Sequence, residues 1–137
     1  NNIYGNKGFI SYQCSVPYKN SYKSILEILK MIKKFRIYSF VSVLKSMKKK
    51  DTPLSFGQNG FTLVFDFPNY KNIELILEKI NDVVLRHRGK IYLAKDSIIN
   101  KKDFKRLNNE FYNHEFKKLR KKSDYYFSSL QSKRLGL

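Results

Sequence analysis

Acidic residues are scarce in this chain: 11 Asp and Glu stand against 28 Lys and Arg, a formal net charge of +17. There is one cysteine, Cys14, so an internal disulfide framework and a cysteine-built metal site are both excluded. Cys14 alternates with Tyr12 and Val16 on an expected strand, where it reads as a buried, inert thiol. No apolar run approaches the ~20 residues that a membrane-spanning helix needs, and no signal-peptide pattern is present. His87 and His114 stand apart without metal-ligand spacing, and Asp51, Asp66 and Asp96 are too dispersed to suggest a paired-carboxylate site.

The basic excess has two readings. Lysine supplies 22 of the 28 cations, Asn and Ile contribute 12 each, and Ala94 is the single alanine. That profile is what AT-rich coding produces, and the charges are spread along the chain rather than clustered for a polyanion. The runs Lys48–Lys50 and Lys117–Lys122 nevertheless suit anionic lipid head groups, which leaves peripheral membrane contact open. With 137 residues, 42% hydrophobic and 15% aromatic, the chain can build one domain. It opens Asn1-Asn2-Ile3, and strand vocabulary begins as early as Gly8. The expectation is therefore a C-terminal piece, residues 1–137, of a longer protein.

Residues 8–17 alternate as a strand that Pro17 ends. Ser24 and Glu27 have capping-box spacing, predicting a helix over 24–35 with Ile25, Leu26, Leu29 and Ile32 at helical intervals. Residues 37–46 are β-branched and aromatic and predict a second strand. After a polar loop, Lys48–Asn59, a third strand places Phe61, Leu63, Phe65 and Phe67 on one face and Thr62, Val64 and Asp66 on the other. Ile73, Ile76, Leu77, Ile80, Val83 and Val84 predict a helix over 72–87, stopping before Gly89. Residues 90–94 read as a fourth strand. Phe104, Leu107 and Phe111 suggest a further helix, followed by a basic, aromatic tail. The fold class expected is α+β: a ferredoxin-like βαββαβ antiparallel sheet with helices on one face, plus a C-terminal helical tail.

Five segments carry a resemblance. They are Gly8–Gln13, Leu44-Lys45, Leu54-Ser55-Phe56 with Gly60–Pro68, Tyr92-Leu93-Ala94-Lys95-Asp96, and Phe127–Leu130 with Arg134-Leu135. In this order they resemble the C-terminal substrate domain of FAD-linked sugar oxidases of the vanillyl-alcohol-oxidase superfamily, over essentially the whole chain. The resemblance implies that FAD is held mostly by an N-terminal domain of the same protein, while this part covers the flavin ring and builds the substrate pocket. The motif's lysine falls on Lys95, implying a catalytic cation at the flavin that stabilises its anionic reduced form. Tyr92 matches a flavin-contacting tyrosine. Gln13 and Lys45 match pocket residues able to bond sugar hydroxyls or phosphate oxygens. Thr62 and Val64 take the places of a pocket asparagine and cysteine, Ser11 that of a second glutamine, and Met47 that of an aromatic. The pocket's outline is kept while its lining changes, which leaves the substrate, a lipid-linked ribose in the family, open.

The resemblance further implies that this chain alone is inactive and retains little flavin. Tyr92 and Leu93 stand where related sugar-lactone oxidases carry histidine and tryptophan, which argues against a lactone oxidase. A rival of another class is an RRM-like RNA-binding module, to which the element order, charge and aromatic strands are suited. It lacks the pair of aromatics two apart on an exposed strand face and the glycine spacing, so no nucleic-acid partner is expected. A non-catalytic interaction domain that keeps the fold is the remaining alternative.

Overall fold

A computed structural model describes residues 5–52, 54–107 and 110–137, with only the backbone of residues 110–113. Pro53, within the loop Lys48–Asn59, and the side chain of Phe111 lie outside the described residues. The elements run β1 (Phe9–Pro17), α1 (Ser21–Lys34), β2 (Val41–Met47), β3 (Gly60–Pro68), α2 (Ile73–Arg86), β4 (Lys90–Ile91), α3 (Lys101–Leu107), α4 (Glu110–Lys122) and α5 (Leu130–Leu135). Short 3-10 turns precede α1 and follow β4. The sheet order is β2-β3-β1-β4 with every neighbour antiparallel, so the expected βαββαβ arrangement is present.

Strand alternation decides the layers. β1 and β3 pair with Cys14 opposite Leu63, Tyr12 opposite Phe65 and Ile10 opposite Phe67. These side chains, with Val16 and Ile91, face Ile28 and Ile32 of α1 and Leu77, Ile80 and Val84 of α2 in one buried cluster. Removing such apolar surface from water at roughly 25 cal/mol per Å² supplies the main folding drive. A Tyr12 hydroxyl buried in this layer donates to Asn81 Oδ1 at 2.8 Å, giving both polar groups a partner. Burial pushes the Cys14 thiol up to about 12, which keeps it protonated and inert.

Several boundaries differ from the sequence reading. α1 begins a turn earlier than Ser24, whose buried hydroxyl donates to the Asn20 carbonyl at 2.6 Å instead of capping a helix. Glu27 is likewise not a cap partner: it accepts from Arg86 Nη2 at 2.7 Å and lies 2.8 Å from His87 Nε2, tying α1 to α2. β2 starts at Val41 because residues 35–37 close the helix end, with Arg36 in the left-handed region and Ile37 donating to Ile32 O. α2 ends through Arg88, at φ 57°, rather than through Gly89. Gly89 is needed for a different reason, since a Cβ there would collide with the Ser15 carbonyl. The fourth strand is two residues long, not five, because Leu93–Lys95 turn away. Helix is present around Phe104, described over Lys101–Leu107 and again over Glu110–Lys122. No helix among the described residues is long and apolar enough to cross a membrane.

Candidate functional site

The sheet face turned away from α1 and α2 carries Ser11, Gln13, Ser15, Lys45, Thr62, Val64 and Asp66. Register brings the sequence-chosen residues together there. Gln13 lies directly opposite Val64, and Lys45 directly opposite Thr62. Residues so paired have Cβ atoms roughly 5 Å apart, so the four form one patch across β1, β3 and β2. The Gln13 amide donates to Thr62 Oγ1 at 3.2 Å, and Thr62 Oγ1 donates on to the Cys14 carbonyl at 2.9 Å. Thr62 is thus buried and committed, a support beneath Gln13 rather than an exposed contact. The Gln13 side-chain carbonyl has no protein partner among the described residues, nor does the exposed Lys45 ammonium have an ion-pair partner. Each leaves a hydrogen-bonding group available to a ligand.

The loop after β2 covers one end of this face, which the sequence reading did not foresee. Gln58 Nε2 donates to Ser15 Oγ at 2.8 Å, and Lys90 Nζ donates to the Ser55 carbonyl at 2.6 Å. Burial, followed by the nearby Lys49 charge, lowers the Lys90 pKa from its ordinary value. Phe56 packs against Tyr92 with ring centroids 4.9 Å apart. Tyr92 is held beside Gln13 by its amide, which donates to the Gln13 carbonyl at 2.9 Å. Together Leu54, Phe56, Lys90, Tyr92 and Leu93 line a cavity of about 120 Å³. Sites for small molecules run to about 300 Å³ and more, so this cavity alone is too small for a sugar or a flavin ring.

Lys95 occupies the turn after β4 instead of a strand end, and is exposed. It lines a shallow cleft with Phe9, Ser11, Ala94 and Ser97. Among the described residues its ammonium has no ion-pair partner. A free cation flanked by the small Ala94 and Ser97 side chains fits a planar ligand edge that carries or gains negative charge. No group of three His, Cys, Asp or Glu among the described residues could hold a metal.

Residues that sequence reasoning passed over sit under this turn. The Asp96 carboxylate is 3% exposed; its Oδ1 accepts from the amides of Ile98 at 3.0 Å and Ile99 at 2.9 Å, and its Oδ2 from Arg134 Nη2 at 2.9 Å. Arg134 also donates to the Ile99 carbonyl, and Gln131 Nε2 donates to the Leu93 carbonyl at 2.6 Å. The recurrence of Lys95-Asp96 and Arg134-Leu135 in one resemblance was the available signal, but nothing local joined the two segments.

The fold and this face define an α+β domain of ferredoxin-like topology with one largely polar sheet surface. The aromatic residues of β3 are turned to the helices, with Phe65 and Phe67 buried, so β3 offers no base-stacking platform and the RNA-binding alternative gains no support. No family profile matches the chain. Over 98 residues, 71% of its length, the chain is 33% identical to decaprenylphosphoryl-β-D-ribose oxidase of Mycolicibacterium smegmatis. The matched stretch is 21% of that protein, so the chain spans about a fifth of its relative's length. At a coarse level this is similarity to part of an oxidase.

Proposed function

We propose that the chain is the substrate-side domain of a longer FAD-linked oxidoreductase that oxidises a carbinol carbon of a phosphorylated or lipid-linked pentose. The observation that carries the reading is the register. Gln13, Lys45, Thr62 and Val64, chosen from four separate motif positions, form one patch with Tyr92 beside it. The similarity to a ribose oxidase supports the same substrate class.

In this reading Lys45 supplies a mobile cation for phosphate or hydroxyl oxygens. Gln13, fixed by Thr62, presents its free carbonyl to a sugar hydroxyl and so orients the ring. Tyr92 and Phe56 wall the site and exclude water on one side. Bound FAD supplies the hydride acceptor. Lys95 places a fixed charge where negative charge grows during transfer, so it favours the transition state more than the ground state. The substrate cavity is completed by the flavin-bearing part of the protein, in keeping with the small enclosed volume here.

Anaerobic mixing of the full-length, flavin-loaded protein with decaprenylphosphoryl-ribose tests the reading. Bleaching of the flavin absorbance is expected, slowed on the order of a hundredfold by Lys95→Ala, with little change in substrate affinity. Absence of any flavin in the full-length protein, or no bleaching with phosphorylated pentoses, overturns it. The isolated 137-residue chain is expected to purify without stoichiometric FAD.

A further inference from the structure

Lys95 is the exposed tip of a turn, and a charge acts on a ligand only if the backbone beneath it is fixed. Lys95 N donates to the Tyr92 carbonyl at 3.0 Å and Asp96 N to the Leu93 carbonyl at 3.3 Å. These are local bonds of a short 3-10 turn, a geometry that does not hold itself rigid. The stronger tethers come from α5, in part 38 residues further along the chain. Gln131 grips Leu93 O before Lys95 and reaches the Asp96 carbonyl after it, and Arg134 grips the Asp96 carboxylate, the Asp96 carbonyl and the Ile99 carbonyl. α5 is itself anchored: Ser129 and Ser132 form a reciprocal capping box, and Leu135 is buried in the core.

A second effect is electrostatic. Asp96 adjoins Lys95 in sequence, and an unoccupied carboxylate there would pair with the ammonium and cancel its field. Three donors occupy that carboxylate instead: the Ile98 and Ile99 amides and the Arg134 guanidinium. A nearly buried charge satisfied in this way is held in one geometry, because leaving any of these groups unpaired is costly.

We propose that Asp96, Arg134 and Gln131 are positioning residues for Lys95, so that the terminal helix α5 is a working part of the site. The inference rests on the reading of Lys95 as the cation facing the flavin. Arg134 both locks the turn and keeps Asp96 from neutralising its neighbour.

A double-mutant cycle in the flavin-loaded full-length protein tests this, with flavin-reduction rate and flavin midpoint potential as readouts. Arg134→Gln and Asp96→Asn are each expected to slow reduction about tenfold or more with the substrate dissociation constant unchanged, and Arg134→Gln, which removes a cation and frees the Asp96 carboxylate, is expected to lower the potential as well. In a Lys95→Ala background neither substitution should add a further effect, since the group they act through is gone. Arg134→Lys should recover part of the rate. Amide hydrogen exchange on the 137-residue chain gives a readout independent of flavin: Arg134→Gln should speed exchange at Ile98 and Ile99 while β1 and β3 stay protected. Where Arg134→Gln does not fold, Gln131→Ala removes the bonds to the Leu93 and Asp96 carbonyls while leaving Arg134 in place, and serves instead. Losses that add fully to that of Lys95→Ala, or unchanged exchange at Ile98 and Ile99, overturn the proposal. A Lys95→Ala protein with unaltered rate and potential overturns the reading of Lys95 itself, and this inference with it.

Discussion

The two faces of the sheet are built from the same strands, one residue apart, and have opposite tasks. Toward α1 and α2 the strands present Tyr12, Cys14, Leu63, Phe65 and Phe67, packed into a buried layer with the half-buried Ile10 at its margin. Away from the helices they present Ser11, Gln13, Lys45, Val64 and Asp66, with hydrogen-bonding groups left over. Ser11 and Asp66 still bond each other at 2.6 Å, so the polar face is partly organised before any ligand arrives. The difference shows stability and recognition separated by the two-residue period of a strand. Substitutions on one face should therefore move folding, and those on the other should move binding.

The sharpest way to break that comparison is in the helix-covered layer. Phe67 is fully buried, and Phe67→Ala should cost about 3–5 kcal/mol in denaturant unfolding, from lost transfer energy and the cavity left behind. A cost near that of a surface substitution would mean the helices do not close on the sheet as described. Tyr12→Phe is next. It leaves Asn81 Oδ1 buried without its donor, and a loss of about 1–3 kcal/mol is expected.

Smaller effects test the rim and the open face. The His87 ring and then the Arg86 guanidinium hold the Glu27 carboxyl below its ordinary range. Because the folded pKa is depressed, this stabilisation is fully present above the unfolded value near 4.5 and is lost as pH falls through the folded value. Glu27 is partly exposed, so the gap between wild type and Glu27→Gln should be no more than about 1 kcal/mol at pH 6. Thermal unfolding from pH 6 to pH 3 should show the gap closing; a gap that widens toward acid contradicts the pairing. Lys45→Ala should have the least effect on folding, within about 0.5 kcal/mol, yet should raise the apparent dissociation constant for a phosphorylated sugar. Equal loss of stability and unchanged binding would place Lys45 with the structural residues instead.

Much of this arrangement was legible in the chain. The alternation Phe61-Thr62-Leu63-Val64-Phe65 separates the two faces, and the spacing Ile73, Leu77, Ile80, Val84 marks the covering helix. The polar patch followed, because Gln13, Lys45 and Val64 were chosen by motif and the register then set them side by side. Ends and couplings were less legible. Ser24 and Glu27 have the spacing of a capping box, but their partners are the Asn20 carbonyl behind and the side chains of α2 across the interface. Gly89 looked like a helix stop, while the contact that requires it is with Ser15, far away in sequence.

The sequence by itself determined the layers and the side of the sheet on which each polar residue falls, since that information has a period of two or 3.6 residues and is carried locally. Only the tertiary structure decided that the loop 54–59 covers Ser15, that the strand before Lys95 is cut to two residues, and that Asp96 is engaged by Arg134 from far along the chain. Those outcomes depend on which distant donors and acceptors meet once the core closes. A buried carboxylate takes whatever partners the packed chain brings within 3 Å, and no local pattern names them in advance.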